Sequence, residues 1–146
     1  MSLGTAVITG ASSGIGAVYA QRLARRGHDL VLVARRADRL EKLAAELRQR
    51  YGVKVENIIA DLSQPADLEK VAGRLRTDES IWTLVNNAGI GQHGLLTGGG
   101  PVNDQALIAL NLTAVTTLTL AALPRFKAAE RGTIIQISSI LALAAL

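Results

Sequence analysis

A glycine-rich segment near the start of the chain has the residue types and spacing of an anion-binding turn. Residues 9–16 read T-G-A-S-S-G-I-G and stand between a short apolar run and a stretch with helical periodicity. Gly10, Gly14 and Gly16 permit a tight turn and a close approach of the backbone to a pyrophosphate. The helix that follows would present free amide groups and the positive end of its dipole to that anion. The segment therefore predicts a dinucleotide site, with a merely structural turn as the alternative; no G-x-x-x-x-G-K-[ST] phosphate loop occurs.

Two arginines follow the second apolar run, at a place where many dinucleotide-binding chains have an acid. An acidic residue about 20 positions past the glycines binds the ribose 2′-hydroxyl of NAD. This chain has Ala34, Arg35 and Arg36 there. A guanidinium pairs bidentately with phosphate, so it would suit the 2′-phosphate of NADP(H). We expect NADP(H) to be favoured over NAD(H), with solvated loop arginines as the alternative.

Further polar residues stand where later apolar runs end. Asn86 and Asn87 follow the fourth run, Ser138 and Ser139 end the fifth, and Asn111 lies within a long helical pattern. By residue type alone, such asparagines often cap turns or bond nearby backbone, and such serines are more often turn residues than catalytic ones. Neither histidine stands at metal-ligand spacing with carboxylates, so no metal site is predicted.

Apolar runs and helical patterns alternate along the whole chain. Each pattern predicts one element. Strands are predicted at residues 3–9, 30–34, 53–60, 81–85 and 133–138. Three helices are predicted from apolar stripes: the first from Ile15, Val18, Tyr19 and Leu23, the second from Leu40, Leu43, Ala44 and Leu47, and the third from Leu68, Val71, Ala72 and Leu75. A fourth, long helix is predicted over residues 103–127. This alternation predicts a doubly wound parallel sheet, the Rossmann fold, with three layers α/β/α in a single domain over residues 1–146.

The end of the chain does not fit a finished domain of this kind. The doubly wound strand order 3-2-1-4-5-6 needs a sixth strand, and only five are predicted. Residues 140–146 are all apolar, whereas chain termini usually lie on the surface. We expect the sequence to be truncated after the fifth strand.

Composition limits the class of protein and its compartment. The chain of 146 residues has no cysteine, which excludes disulfide frameworks and thiolate chemistry. No unbroken apolar run approaches the roughly 18 residues of a membrane span, and no basic segment precedes an apolar one at the N-terminus. We expect a soluble, cytoplasmic protein with no membrane partner.

The positive charge is concentrated in one early segment. Residues 22–50 hold nine Lys or Arg against four Asp or Glu, in a chain whose net charge is +4. A nucleic-acid surface is one interpretation, but the segment offers no aromatic stacking platform before Tyr51. We expect no nucleic-acid partner, and some of this charge to face the phosphates of a cofactor.

Taken together, the motifs resemble those of the short-chain dehydrogenase/reductase family. The resemblance rests on the glycine spacing Gly10-x-x-x-Gly14-x-Gly16, on Asp61-Leu62 and on Asn86-Asn87-Ala88-Gly89. It also rests on Asn111 and on G-T-I-I-Q-I-S-S over residues 132–139. These motifs occur in the family's order across essentially the whole chain.

The resemblance implies a reaction and its residues. It implies hydride transfer between a nicotinamide and a small-molecule carbonyl or alcohol, with Ser139 polarising the carbonyl and Asn111 supporting a water-linked proton relay. It also implies a catalytic Tyr with a Lys four residues later, a pair that is absent here and is expected beyond Leu146, so this chain alone should be inactive. The cofactor contacts that it implies are Ser12, Ser13 and Ile15 at the pyrophosphate, Asp61 and Leu62 at the adenine, and Asn87, Ala88 and Gly89 at the ribose.

Two further expectations remain open. A non-catalytic NADP-binding sensor, or an inactive fragment of the same fold, is the alternative to an enzyme. The helix over residues 103–127 is too apolar for an exposed face. Because the family commonly buries this helix against another subunit, we expect a homodimer or homotetramer.

Overall fold

The computed structural model describes residues 3–91 and 104–139, in which strands and helices alternate as expected. The predicted stretch at residues 140–146 and the predicted helix start at Asn103 lie outside these ranges. The elements are β1 Thr5–Thr9, α1 Gly14–Arg25, β2 Asp29–Ala34, α2 Ala37–Tyr51, β3 Val55–Ile59, α3 Pro65–Thr77, β4 Ile81–Asn86, α4 Asp104–Ile108, a π-helical segment Ala109–Ala114, α5 Val115–Ala128 and β5 Thr133–Gln136.

The five strands form one parallel sheet in the order β3-β2-β1-β4-β5. The chain begins in the middle of the sheet, moves outward to β3, and returns to the other side of β1. Strand order therefore reverses between β1 and β4, and ligands of open α/β sheets bind at such a switch point, beyond the carboxyl ends of the strands. The order agrees with the predicted doubly wound fold.

Helices cover both faces of the sheet. The helices α1 and α2 pack on one face and α3 and α5 on the other, so that each face carries its own apolar core. The predicted stripes of α2 and α3 are confirmed. Their buried residues are Leu40, Leu43, Ala44, Leu47, Leu68, Val71, Ala72 and Leu75.

The predicted stripe of α1 is wrong in part. Ile15 and Val18 are 56% and 46% exposed, whereas Gly16, Ala20 and Ala24 are buried. Small side chains let α1 approach the sheet closely, whereas Leu23 is buried and Tyr19 packs against the core, as predicted. Apolar periodicity alone does not reveal this kind of packing, because glycine and alanine contribute little to it.

The long apolar helix is continuous from α4 through the π-helical segment to α5. The helix spans Gln105–Ala128, and its most apolar 18-residue window has a mean hydropathy of 1.9 and is 22% buried, so it is long and apolar enough to cross a membrane by length and composition. Asn111 and several threonines interrupt the apolar run, so the length of unbroken apolar sequence does not indicate that this helix could span a membrane. Leu112 and Leu120 are 59% and 61% exposed. The described part of the chain thus leaves a broad apolar surface uncovered.

Candidate cofactor site

The glycine-rich turn links β1 to α1 and leaves the helix start open to an anion. Gly10 and Gly14 have φ values of +65° and +56°, in the left-handed region that favours glycine. Ser13 is the N-cap residue, with extended backbone and no capping hydrogen bond from its side chain. The first turn of α1 contains no acidic residue. The first amide groups of α1 and its dipole therefore face the cleft without a competing carboxylate.

Gly16 is held against the turn itself. A Cβ atom there would lie 2.5 Å from the Gly10 carbonyl oxygen and 2.5 Å from Asn87 Nδ2. The Asn87 amide is already engaged, since its Nδ2 donates to the carbonyls of Thr9 at 3.0 Å and Gly10 at 3.2 Å. Gly16 thus allows α1, the glycine turn and the end of β4 to meet.

Thr9 is a site residue that sequence reasoning missed. Its Oγ1 accepts hydrogen bonds from the backbone amides of Asn87 and Ala88, both at 3.0 Å. Together with the Asn87 side chain, it ties the glycine turn to the segment after β4. In the sequence, only its position directly before Gly10 indicates that Thr9 belongs to the site. The residues that it contacts lie nearly 80 positions further along the chain. The alternative that Asn87 caps a local turn is wrong, because the carbonyls that its side chain contacts belong to Thr9 and Gly10, 78 and 77 residues earlier in the chain.

Arg36 reaches the glycine turn from the end of β2. Its Nη2 donates to Ser13 Oγ at 2.9 Å and to Ser12 Oγ at 3.2 Å. Arg35 lies beside it, with its Nη1 4.0 Å from Asp61 Oδ2 and its side chain largely exposed. Both guanidinium groups therefore border the cleft, next to the open start of α1.

Asp61 lies in the cleft two residues after β3, and its carboxyl group is ionised. Hydrogen bonds from the Ser63 hydroxyl, at 2.7 Å, and the Ser63 amide, at 3.0 Å, hold the pKa of the Asp61 carboxyl below its usual range, together with Arg35 and against the opposing effect of burial. Its own backbone amide donates to Asp67 Oδ2 at 2.7 Å. The carboxylate thus accepts hydrogen bonds throughout the neutral pH range.

Most of the predicted cofactor residues line one cleft of about 430 Å³ at the carboxyl edge of the sheet. Its volume is within the range of small-molecule sites, about 300–1,000 Å³. Gly14 and Gly16 do not line it. The predicted cofactor residues that do are Gly10, Ser12, Ser13, Ile15, Arg35, Arg36, Asp61, Leu62, Asn87, Ala88 and Gly89. The unpredicted lining residues are Val33, Ala34, Ala60, Ile90 and Leu110.

Asn111 lies in the π-helical segment and bonds to backbone distant in sequence. Its Oδ1 accepts from the Ile90 amide at 3.0 Å, and its Nδ2 donates to the Ile90 carbonyl at 2.8 Å. The interpretation that it bonds nearby helix backbone is therefore wrong. Both ends of the side-chain amide are occupied in holding the segment after Gly89, and π-helical turns often occur at functional sites.

Ser138 and Ser139 lie two and three residues after β5, and both are exposed. The strand ends at Gln136, two residues earlier than predicted. The Ile137 amide still donates to the Asn86 carbonyl at 3.0 Å. Because β4 and β5 are parallel, the serines lie at the same edge of the sheet as the cleft.

Five of the nine cations of the basic segment line one of two separate surfaces. Only Arg35 and Arg36 of its cations line the cofactor cleft. Arg22, Arg25 and Arg50 line a separate groove between α1 and α2, where the Arg50 guanidinium lies 5.5 Å from the centre of the Tyr51 ring. Residues 3–91 and 104–139 bring together no group of three His, Asp or Glu side chains that could hold a metal ion.

The chain resembles several oxidoreductases of known sequence. It is 41% identical over 138 residues to an uncharacterised oxidoreductase of Mycobacterium tuberculosis, covering 92% of this chain and 54% of the relative. It is 37% identical over 140 residues to the 17-beta-hydroxysteroid dehydrogenase type 3 of Homo sapiens, covering 94% of this chain and 45% of the relative. The chain thus spans about half the length of these curated relatives.

Solved structures match the fold closely. A bulky-bulky ketone specific alcohol dehydrogenase from Comamonas testosteroni is 48% identical with a TM-score of 0.95, covering 99% of this chain and 58% of that chain. A short-chain dehydrogenase from Sphingobium yanoikuyae in complex with NADPH is 53% identical with a TM-score of 0.94, covering 97% of this chain and 56% of that chain. The family model for short chain dehydrogenases matches residues 4–146. The chain belongs to the short-chain dehydrogenase family.

Proposed function

We propose that the complete protein is an NADP(H)-dependent oxidoreductase acting on a small-molecule carbonyl or alcohol. The observation that carries this proposal is the pair of cations at the end of β2, where Arg36 lies against the serines of the glycine turn and Arg35 lies beside it. No acid occupies residues 34–36, where an acidic residue would favour the ribose 2′-hydroxyl of NAD over a 2′-phosphate. Relatives of this family have been solved with NADPH or NADP bound.

The residues present fit such a cofactor. Gly10 and Ser13 border the cleft beside the open start of α1, which suits a pyrophosphate, and Arg35 and Arg36 would hold the 2′-phosphate. Asp61 and Leu62 would border the adenine, and the segment Asn87, Ala88 and Gly89 the ribose. The cofactor supplies the hydride when bound, and the protein supplies position and charge. Ser139 would donate a hydrogen bond to the substrate oxygen, with the acid–base Tyr/Lys pair beyond Leu146.

The presence of Ser139 favours the enzyme over the alternative of an NADP-binding sensor. The side chain of Asn111 serves the backbone of Ile90, so its presence suits either function. A sensor does not need a hydroxyl group at position 139 to polarise a substrate carbonyl. Substrates of the relatives include bulky ketones and L-sorbose, which agrees with a carbonyl or alcohol substrate for this protein.

Replacing Ser139 by alanine in the full-length protein should lower kcat for carbonyl reduction about 100-fold, the usual effect of removing one oxyanion donor. Affinity for NADPH should stay unchanged, because position 139 is not a cofactor contact in this proposal. The measurement is the loss of NADPH absorbance with a panel of aldehydes and ketones, beside a fluorescence titration of NADPH. Ser138→Ala is the matched control and should retain activity. Equal losses in both variants, or none in Ser139→Ala, would contradict the assigned role.

The exposed apolar face of the long helix leads to a proposal about assembly. Leu112 and Leu120 should be covered by a second subunit in a cytoplasmic homodimer or homotetramer. Leu112→Glu with Leu120→Glu should dissociate it, since two charges would enter an apolar interface. Light scattering on size-exclusion chromatography without detergent measures this, and Ile59→Glu, at an exposed apolar residue of β3, is the control. A monomeric wild-type protein, or one recovered only in the membrane fraction, would contradict the proposal.

A further inference from the structure

We infer that Thr119 is a positioning residue that aligns the ends of β4 and β5, and with them the two halves of the site. The expected effect of Thr119 on catalysis rests on the proposed function, whereas its effect on the ends of β4 and β5 can be measured independently of that function. The contact joins three elements at one atom, the Oγ1 of Thr119 on α5.

The two partners of Thr119 are neighbours in the sheet. Asn86 and Gln136 are opposite each other in the β4–β5 register. Asn86 Nδ2 donates to Thr119 Oγ1 at 3.1 Å, and Gln136 Nε2 donates to the same atom at 2.8 Å. A hydroxyl oxygen has two lone pairs, so these two amides use its full capacity as an acceptor. The Thr119 hydroxyl, on the helix α5 that packs on the sheet, therefore holds the side chains of the cross-strand pair Asn86 and Gln136.

The pair stands directly before the site. After β4 ends at Asn86, the chain continues into Asn87, which is bound to the glycine turn. Directly after β5, the amide of Ile137 donates to the Asn86 carbonyl at 3.0 Å, and Ser139 lies two residues further. The relative position of the cofactor segment and of Ser139 thus depends on the β4–β5 ends that Thr119 joins. A displacement of about 1 Å at a reacting group can cost about 100-fold in rate.

Burial makes this contact hard to replace. Asn86 is 3% exposed, and its Oδ1 already has no hydrogen-bond partner. Without the Thr119 hydroxyl, both ends of this buried amide would be unpaired, and buried polar groups seldom stay so. We expect the Asn86 side chain to shift and the last rung of the β4–β5 ladder to loosen.

The test compares Thr119→Val with Thr119→Ser in the full-length protein. Valine keeps the shape and removes the hydroxyl, whereas serine keeps the hydroxyl. Thr119→Val should lower kcat about tenfold or more, since a small misplacement is costly, with a smaller change in the KM for NADPH. Thr119→Ser should stay near the wild-type kcat. A lower kcat in Thr119→Val together with a near wild-type kcat in Thr119→Ser supports a positioning role for the hydroxyl group. If the methyl group of Thr119 mattered instead, Thr119→Ser would be the variant with the lower kcat.

Two additional measurements keep the inference falsifiable. Exchange of the Ile137 amide hydrogen should be faster in Thr119→Val and unchanged in Thr119→Ser, whether or not the protein is an enzyme. If Thr119→Val does not fold, Gln136→Leu removes one of the two donors from an exposed position and should lower kcat less. A folded Thr119→Val protein with wild-type kcat, or unchanged Ile137 exchange, would overturn the inference. An inactive wild-type protein would refute the proposed function instead. The exchange of the Ile137 amide hydrogen in the two variants would still show whether Thr119 holds the ends of β4 and β5 together.

Discussion

A single added methyl group at Gly16 is expected to cost about 2–4 kcal/mol of folding free energy. The Cβ of Gly16→Ala would overlap the Gly10 carbonyl oxygen and Asn87 Nδ2, each 2.5 Å away. One is backbone and the other is already bonded to two carbonyls, so neither can move away without losing hydrogen bonds. Overpacking costs about 1–3 kcal/mol and each lost hydrogen bond about 1 kcal/mol, offset by about 1 kcal/mol of helix propensity.

Denaturant titration of Gly16→Ala beside Gly14→Ala would measure this. Gly14 is the matched control, because a Cβ there would meet nothing within 4 Å and only its φ of +56° opposes alanine. The left-handed conformation costs alanine about 1–2 kcal/mol. We expect Gly16→Ala to be the less stable variant, and also to bind NADPH more weakly. If Gly14→Ala were the less stable variant, the close contact at Gly16 would not limit the fold.

Reversing both charges at the end of β2 should reverse the choice of cofactor. In Arg35→Asp with Arg36→Asp, NADPH would lose two charge-assisted hydrogen bonds, each worth about 1.5–3 kcal/mol, and would face two carboxylates. NADH carries no 2′-phosphate, and an acid at this position can bind its ribose hydroxyl. The ratio of the two dissociation constants should therefore change about 1,000-fold.

Fluorescence titration of both cofactors checks this ratio. The control, Arg22→Asp with Arg25→Asp, makes the same change in net charge in the groove between α1 and α2, away from the cofactor cleft. It should leave the ratio nearly unchanged, because solvent and salt screen distant exposed charges. Arg36→Asp alone should have the larger single effect, since Arg36 touches the glycine turn. If the wild-type protein preferred NADH, or if the control variant changed the ratio of dissociation constants as much as the double variant, the assignment of Arg35 and Arg36 to the 2′-phosphate would be wrong.

The elements were predictable because their patterns are local. The stripes at Leu40, Leu43 and Leu47 repeat along one helix, and the residues at strand ends follow from the alternation of elements. Thr9 and Asn87 could be placed near the same edge of the sheet, but not in contact, because their bonds join residues 78 positions apart. The sequence likewise contains no sign that Asn111 serves Ile90 or that Thr119 joins two strands. Such contacts depend on how closely the layers approach, and small residues such as Gly16 set that distance without any hydrophobic signal.

The strand order has a consequence for how the site forms during folding. The unit β1–α1–β2 consists of neighbours in sequence, so the glycine turn can form from local contacts. The bonds from Thr9 to Asn87 and Ala88 must close a long loop first, and closing long loops slows folding. The cleft is therefore completed only when β4 docks beside β1. A ligand of this cleft binds only chains in which that docking has occurred, so it stabilises them against unfolding by mass action.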